Sequence, residues 1–421
     1  MYQKTALDNG LRLITSSMPH SQSVCIAIFV GTGSRHESDE QAGLSHFIEH
    51  LYFKGTERRA TAKEISEAIE GVGGILGGGT DKELTVYSCK VARPHFALAL
   101  DVLADMMRHS KLDPQEIERE RHVIIEEINM SLDSPQHRVD MLLDELLWPG
   151  QALGRDIAGS KETVGATTRQ MILDYLAHQY LPNNVVISVA GAVDHQEVIT
   201  SLSQYFGDWA GGMVPRGPVT KHEQREPRLR VERRDTEQAH CALAVPGLSS
   251  LHPDRFTLGL LNIILGEGMS SRLFQQIRER LGLAYAIQSY VSHFLDTGSV
   301  AIYAGVDPKQ VEIAVAAIVE VLNRLKEVIP DSELVKAKEF SKGRLMLRME
   351  DSRSVAGWLG GQELLTGRIL TVDDVVSIIE AITPDDLQRV ARELLVGYKL
   401  NLAVVGPVDN EGRLEDLLRK L

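Results

Sequence analysis

Two histidines four residues apart, His46 and His50, enclose a glutamate, Glu49, in the stretch SHFIEH (Ser45 to His50). If Gly43 to Phe53 is helical, both histidines stand on one side, one turn apart, and can present a ring nitrogen each to a single ion. Neutral imidazole is a good zinc ligand, and a catalytic zinc takes three protein ligands while keeping a position for water. Glu49 adjoins His50 but points about 100° round the helix, which suits a base acting on the bound water better than a ligand. The order HxxEH reverses the commoner HExxH, yet both place a glutamate beside a histidine and can serve the same chemistry. Histidines at this spacing also occur in ordinary helices, so a third ligand is what separates a metal site from coincidence.

The segment EIERERHVIIEEINM, Glu116 to Met130, supplies candidates. A helix is expected from about Pro114 to Leu132, with Pro114 in its first turn and Asp113 as its cap. Its apolar stripe runs through Ile117, Ile124 and Ile128, and both Glu120 and Glu127 fall into that stripe, while Glu126 lies to the side near Arg119 and His122. Carboxylates on a buried stripe are costly unless a metal, a base or hydrogen bonds compensate them. Glu127 is therefore read as the third ligand and Glu120 as a partner that orients a ligating histidine. The competing reading leaves Glu126 and Glu127 solvated and pairs Glu120 with a surface arginine.

The elements that must position these residues are written twice. LRLITSS and SVCIAIFV read as strands, Leu44 to Phe53, Ala62 to Val72 and Pro94 to His109 as helices, and ELTVYSCKV as a strand between the last two helices. After the Gly-, Pro- and charge-rich tract Gly207 to Arg228 the order recurs. HCALAVPG answers CIAIFVGTG, Gly298 to Leu325 answers ELTVYSCKVARPHFALALDVLADMM, and YKLNLAVVGPVD answers NNVVISVAGAVD. The duplication spans roughly 200 residues, longer than solenoid periods. The expected fold class is α+β, with two homologous lobes, each a largely antiparallel sheet packed with helices. The expected domains are residues 1–210, carrying the zinc site, a linker at 211–228, and a homologous lobe at 229–421.

Composition narrows the partners. The 421 residues carry a formal charge of −13 with no basic run or aromatic-interleaved lysine patch, which argues against nucleic acid. Cys25, Cys89 and Cys241 each sit in an apolar strand-like run and read as core thiols rather than a disulfide framework. The first residues lack the pattern of a secretory signal, and no stretch approaches the ~20 apolar residues of a spanning helix. A cytoplasmic protein without a membrane partner is expected.

Around the histidines, GLSHFIEHLYFKGT (Gly43 to Thr56) resembles the signature of the inverzincin metallopeptidases, the pitrilysin-like M16 peptidase family that includes insulin-degrading enzyme and the mitochondrial processing peptidase. The likeness covers nearly the whole chain and is strongest to the short bacterial members. It implies a zinc metalloendopeptidase with one Zn(2+) per chain on His46, His50 and Glu127, Glu49 activating water, and Glu120 as the supporting glutamate. In GMSSRLFQQIRERLGLAYAIQS (Gly268 to Ser289) it implies that Arg278 and Tyr285 reach the substrate, where the residues alone suggest a solvated helix arginine and a packed tyrosine. One departure stands out. Where the family carries asparagine then alanine close to the site, this chain has Gly77 and Gly78, which offer no side-chain hydrogen bond and a freer backbone. No lysine follows with phosphate-loop spacing, so these glycines are not a nucleotide motif.

The resemblance implies hydrolysis of short unstructured peptides or unfolded fragments in a closed chamber, the extended substrate adding to a sheet edge near the zinc helix. The alternatives are a leader- or precursor-processing peptidase, and a weakly active peptide-binding protein of the same fold. A homodimer is expected, since one chain supplies only half the walls of a closed chamber, and because it carries both the zinc set and the Arg278/Tyr285 pair it need not borrow either from a different subunit; a paralogous subunit is the alternative partner.

Overall fold

The computed structural model describes residues 2–215, 217–409 and 411–421; Arg216, within the expected linker 211–228, lies outside the described residues with Met1 and Asn410. The chain forms two compact units, one of Met1–Asn129, Asp156–Pro218 and Met346–Thr371, the other of Met130–Arg155, Val219–Leu345 and Val372–Leu421.

The first unit contains a six-stranded sheet. Its strands are β1 (Tyr2–Ala6), β2 (Arg12–Ser17), β3 (Ser23–Val30), β4 (Ile75–Thr80), β5 (Thr85–Ala92) and β6 (Val185–Gly191), ordered β1-β2-β6-β3-β5-β4. β2 and β6 are parallel and every other neighbouring pair is antiparallel. The second unit's sheet comprises β7 (Arg228–Glu232), β8 (Ala239–Pro246), β9 (Ala284–His293), β10 (Gly298–Val306) and β11 (Asn401–Val405), ordered β7-β11-β8-β10-β9. Here β7 and β11 form the parallel pair and the rest are antiparallel. The second order repeats β2-β6-β3-β5-β4 strand for strand, parallel pair included, so the sequence duplication is a duplication of topology. This is the α+β fold of two homologous lobes.

β6, β10 and β11 are buried along their entire lengths, so these interior strands show none of the buried–exposed alternation of a strand with one face in solvent. The helices used below are α1 (Leu44–Tyr52), α2 (Pro114–Asp133), α3 (Pro135–Leu147) and α4 (Ser352–Thr366). Each sheet is covered by one helix drawn from the other half of the sequence. In the first unit Val355, Ala356 and Leu359 of α4 pack with Ile14, Cys25, Ala27, Phe29, Val186 and Ala190. Gly360 allows that close approach, since a Cβ there would stand 2.3 Å from the Phe29 ring. In the second unit Val139, Leu142, Leu143 and Leu147 of α3 pack with Ala242, Ala244, Ala403 and Val405. Burying one such leucine contributes about 1.5–3 kcal/mol, so each exchanged helix is a core element of the unit it joins. Cys25, Cys89 and Cys241 are buried free thiols. No helix among the described residues is long and apolar enough to cross a membrane.

Candidate metal centre

α1 is built to be rigid at its start. Gly43 takes a left-handed φ of 94°, and a side chain there would meet the Ala158 carbonyl oxygen at 2.4 Å. The buried Glu37 carboxylate accepts from the Gly43 N–H at 2.8 Å and from the Ser45 N–H at 2.6 Å, a negative charge at the positive end of the helix. Hydrogen bonds to a charged group are worth about 1.5–3 kcal/mol each. Leu44, Phe47, Ile48 and Leu51 bury the opposite face, which turns His46, Glu49 and His50 toward the site. α2 is held against α1 by Arg121, whose guanidinium lies 5.8 Å from the Phe47 ring centre and donates to the Thr167 carbonyl at 2.9 Å. Asp113 accepts from the Gln115 N–H at 2.7 Å, capping α2 where the sequence places its start.

The two helices bring His46, His50 and Glu127 together, with one potential ligand atom from each lying within 4.8 Å of the others; among the described residues this is the one cluster of its kind. The atoms are Nε2 of His46 and of His50, 3.8 and 3.6 Å from Oε2 of Glu127. His50 Nδ1 faces Glu120 Oε2 at 3.1 Å, and Lys54 Nζ lies 2.7 Å from the other oxygen of the same carboxylate. Glu120 is buried, as its place on the stripe implies, and pairs with Lys54 rather than a surface arginine. Glu127 is less buried than the stripe suggests, its side chain 43% exposed. Glu126 stands apart, accepting from the Asn129 amide at 3.3 Å.

Electrostatics make this set a cation site. Burial, and then the neighbouring His50, push His46 down to about 4, so its ring is neutral and its lone pair available. Burial would also lower His50, but the hydrogen bond to Glu120 and the charges of Glu127 and Glu49 outweigh it and raise the ring. When neutral His50 donates from Nδ1 to Glu120, its Nε2 lone pair faces the Glu127 carboxylate. Two imidazole lone pairs and a carboxylate oxygen then point at one another at distances too long for hydrogen bonds. That donor chemistry fits a divalent metal of the zinc type.

Glu49 contributes no atom to that cluster. Its Oε2 accepts from the Thr80 hydroxyl at 2.9 Å, and burial raises its carboxyl above the usual range against the pull of that bond and of His50. The glycines of β4 alternate: a Cβ on Gly78 would stand 2.9 Å from Glu49 Oε1, whereas a Cβ on Gly77 would have Arg353 Nη2 at 3.7 Å. Gly78 thus borders the site and Gly77 opens on the Arg353 side. Thr80 and Lys54 were not among the residues singled out from the sequence. Lys54 lay within the quoted signature, and Thr80 follows a glycine run that does not read as a strand.

Arg278 and Tyr285 belong to the second unit. Arg278 lies in a π-helical turn, Phe274–Arg280, and Tyr285 on β9. The guanidinium is 5.4 Å from the Tyr285 ring centre and 4.8 Å from that of Phe274. Tyr285 is 76% exposed, so it is not a core tyrosine.

The family description Insulinase (Peptidase family M16) matches residues 12–161, and Peptidase M16 inactive domain matches residues 166–340. The uncharacterised zinc protease YmxG of Bacillus subtilis is 38% identical over 411 residues, 97% of this chain and 99% of that protein. An uncharacterised zinc protease of Streptomyces coelicolor is 37% identical over 424 residues, 98% of this chain and 92% of that one. Among solved structures, a protease from Helicobacter pylori superposes with a TM-score of 0.93 at 24% identity, covering 97% of this chain and 99% of that one. A chain of Complex III2 from Candida albicans does so with 0.85 at 19% identity, covering 99% of both. The structural likenesses speak for the fold. The sequence relatives, matched at this identity over nearly their full lengths, and the two family descriptions show that the chain belongs to peptidase family M16, the insulinase family.

Proposed function

We propose that the protein is a zinc-dependent endopeptidase acting on short unstructured peptides or unfolded fragments in a closed chamber, with Glu49 as general base. The observation that carries this reading is the convergence of two imidazole nitrogens and a carboxylate oxygen beside a second carboxylate, Glu49, that is not one of them. The relatives' names as zinc proteases support the metal and the reaction. One zinc per chain, held by His46, His50 and Glu127, would supply the Lewis acidity that hydrolysis of an amide requires. Glu49 takes the proton of the attacking water and delivers it to the departing amine. Arg278 and Tyr285 are assigned to the substrate on the family resemblance, Arg278 at its carbonyl end and Tyr285 donating to the developing oxyanion. The assembly proposed is a cytoplasmic homodimer, and mass in solution separates it from a chain that needs a paralogous subunit.

Glu120 aims His50, and Lys54 fixes Glu120. Glu120→Gln weakens zinc binding by about 10- to 100-fold, the usual consequence of losing the carboxylate behind a ligating histidine. Competition with a chromogenic chelator measures it, and wild-type affinity in the variant would remove Glu120 from that role.

The position of β4 supports the proposed substrate class. It is an edge strand, packed beside α1, whose outer backbone groups have no strand partner among the described residues, and an extended peptide can add to it. A compact protein must first open to offer such a segment. Zinc-loaded protein therefore cleaves a quenched unstructured peptide library at least about tenfold faster than folded proteins of similar composition. Cleavage of a few precursors at one position, with the library untouched, would favour a processing peptidase; binding of peptides without cleavage would favour the binding protein.

A further inference from the structure

We propose that Thr80 is a positioning residue for Glu49, its hydroxyl holding the carboxylate in a single rotamer within a seat that Gly78 leaves open on the same strand. The inference rests on the reading of Glu49 as general base and adds to it the group that keeps the base in place. Thr80 and Gly78 are two residues apart on β4 and so share a face. The Thr80 hydroxyl donates to Glu49 Oε2 at 2.9 Å. A Cβ on Gly78 would meet Glu49 Oε1 at 2.9 Å, Glu49 Cγ at 3.1 Å and the Phe53 ring at 3.1 Å, so the glutamate occupies space that any side chain there would take.

The donor is itself fixed by the sheet. Thr80 pairs with Thr85 at the root of the β4–β5 hairpin, and the turn is closed by the Asp81 N–H on the Leu84 carbonyl at 2.8 Å. Thr85 is fully buried and donates to the Thr32 carbonyl at 2.9 Å. A β-branched residue in a strand also has few χ1 choices. Glu49, by contrast, has three side-chain torsions, and Thr80 anchors its carboxylate both through the hydroxyl and through its backbone N–H. A base works only within hydrogen-bond reach of the proton it removes. Without the Thr80 hydroxyl one of these two bonds is lost, the backbone N–H alone holds the carboxylate less tightly, and a smaller part of the population is in place.

The test compares wild type with Thr80→Val, Thr80→Ser, Glu49→Gln and the Glu49→Gln/Thr80→Val double variant. Readouts are kcat and KM on a quenched peptide, zinc affinity by chelator competition, and peptide affinity by fluorescence anisotropy. Thr80→Val, nearly isosteric, lowers kcat about tenfold or more, with KM, peptide affinity and zinc affinity unchanged. Thr80→Ser restores most of the rate, and the double variant is no slower than Glu49→Gln alone, as for two residues acting as a unit. Wild-type kcat in Thr80→Val alongside an inactive Glu49→Gln overturns the role of Thr80 and leaves the base intact. A Thr80→Val that loses zinc or peptide affinity together with kcat, unrescued by serine, has a structural defect and overturns it too. Wild-type kcat in Glu49→Gln overturns the underlying reading of Glu49, and the inference with it.

Discussion

Glu49→Gln turns over an unstructured peptide at least about 100-fold more slowly than wild type, the scale set by loss of a general base. Zinc content and thermal stability remain those of the parent. Glutamine has the size of glutamate, and its side-chain carbonyl can still accept from the Thr80 hydroxyl, so the packing against Gly78 is kept. What it loses is the ability to take a proton. The metal set is untouched because Glu49 supplies none of the three clustered ligand atoms. The contrast between rate and metal content is therefore the informative quantity. A variant that loses zinc in proportion to activity would show that Glu49 supports the site rather than the reaction. One that retains full activity would exclude it as the base.

Much of this site was legible because helices report direction through their period. His46, Glu49 and His50 lie on one short helix, and the 3.6-residue repeat alone puts the histidines together and the glutamate to the side. The same repeat put Glu120 and Glu127 on one face of α2. Periodicity gives direction but not depth, which is why the burial of Glu120 was readable and the exposure of Glu127 was not. Lys54 lies just beyond the end of α1, where the helical period no longer says where a side chain points. β4 was hidden for a different reason. A run of glycines has poor strand propensity, and its pairing with β5 is set by the hairpin rather than by its own side chains. Thr80 went unnoticed with it.

The duplication was legible in matched strand and helix strings, and with it the α+β class. The exchange of α3 and α4 was not. An amphipathic pattern states that a helix buries one face; it carries no information about which sheet receives it. Residues 130–155 therefore read as part of the first half, and 346–371 as part of the second, although each helix completes the core of the other unit.

Glu127→Ala lowers zinc affinity by at least about 100-fold, beyond the range expected for partners that merely orient a ligand. Peptide hydrolysis falls with it. The two histidines are i, i+4 on one helix and cannot by themselves satisfy the four-coordinate preference of zinc. Among the described residues, Glu127 is the carboxylate that clusters with both imidazoles, its Oε2 lying 3.8 and 3.6 Å from the two Nε2 atoms, and it comes from a second helix. Its partial exposure does not weaken the case, because only one oxygen faces the histidines. The control is Glu126→Gln. Glu126 is adjacent in sequence but about 100° away on the helix, and it bonds to Asn129 rather than to the histidines. Chelator competition on the two variants separates ligand from neighbour: zinc affinity collapses in Glu127→Ala and holds in Glu126→Gln. The reverse pattern would mean that α2 is rotated in solution relative to the arrangement described, and the assignment of the third ligand would pass to Glu126. Equal, small losses in both would instead point to general electrostatic attraction by the acidic helix, and would leave the two histidines without a defined third partner.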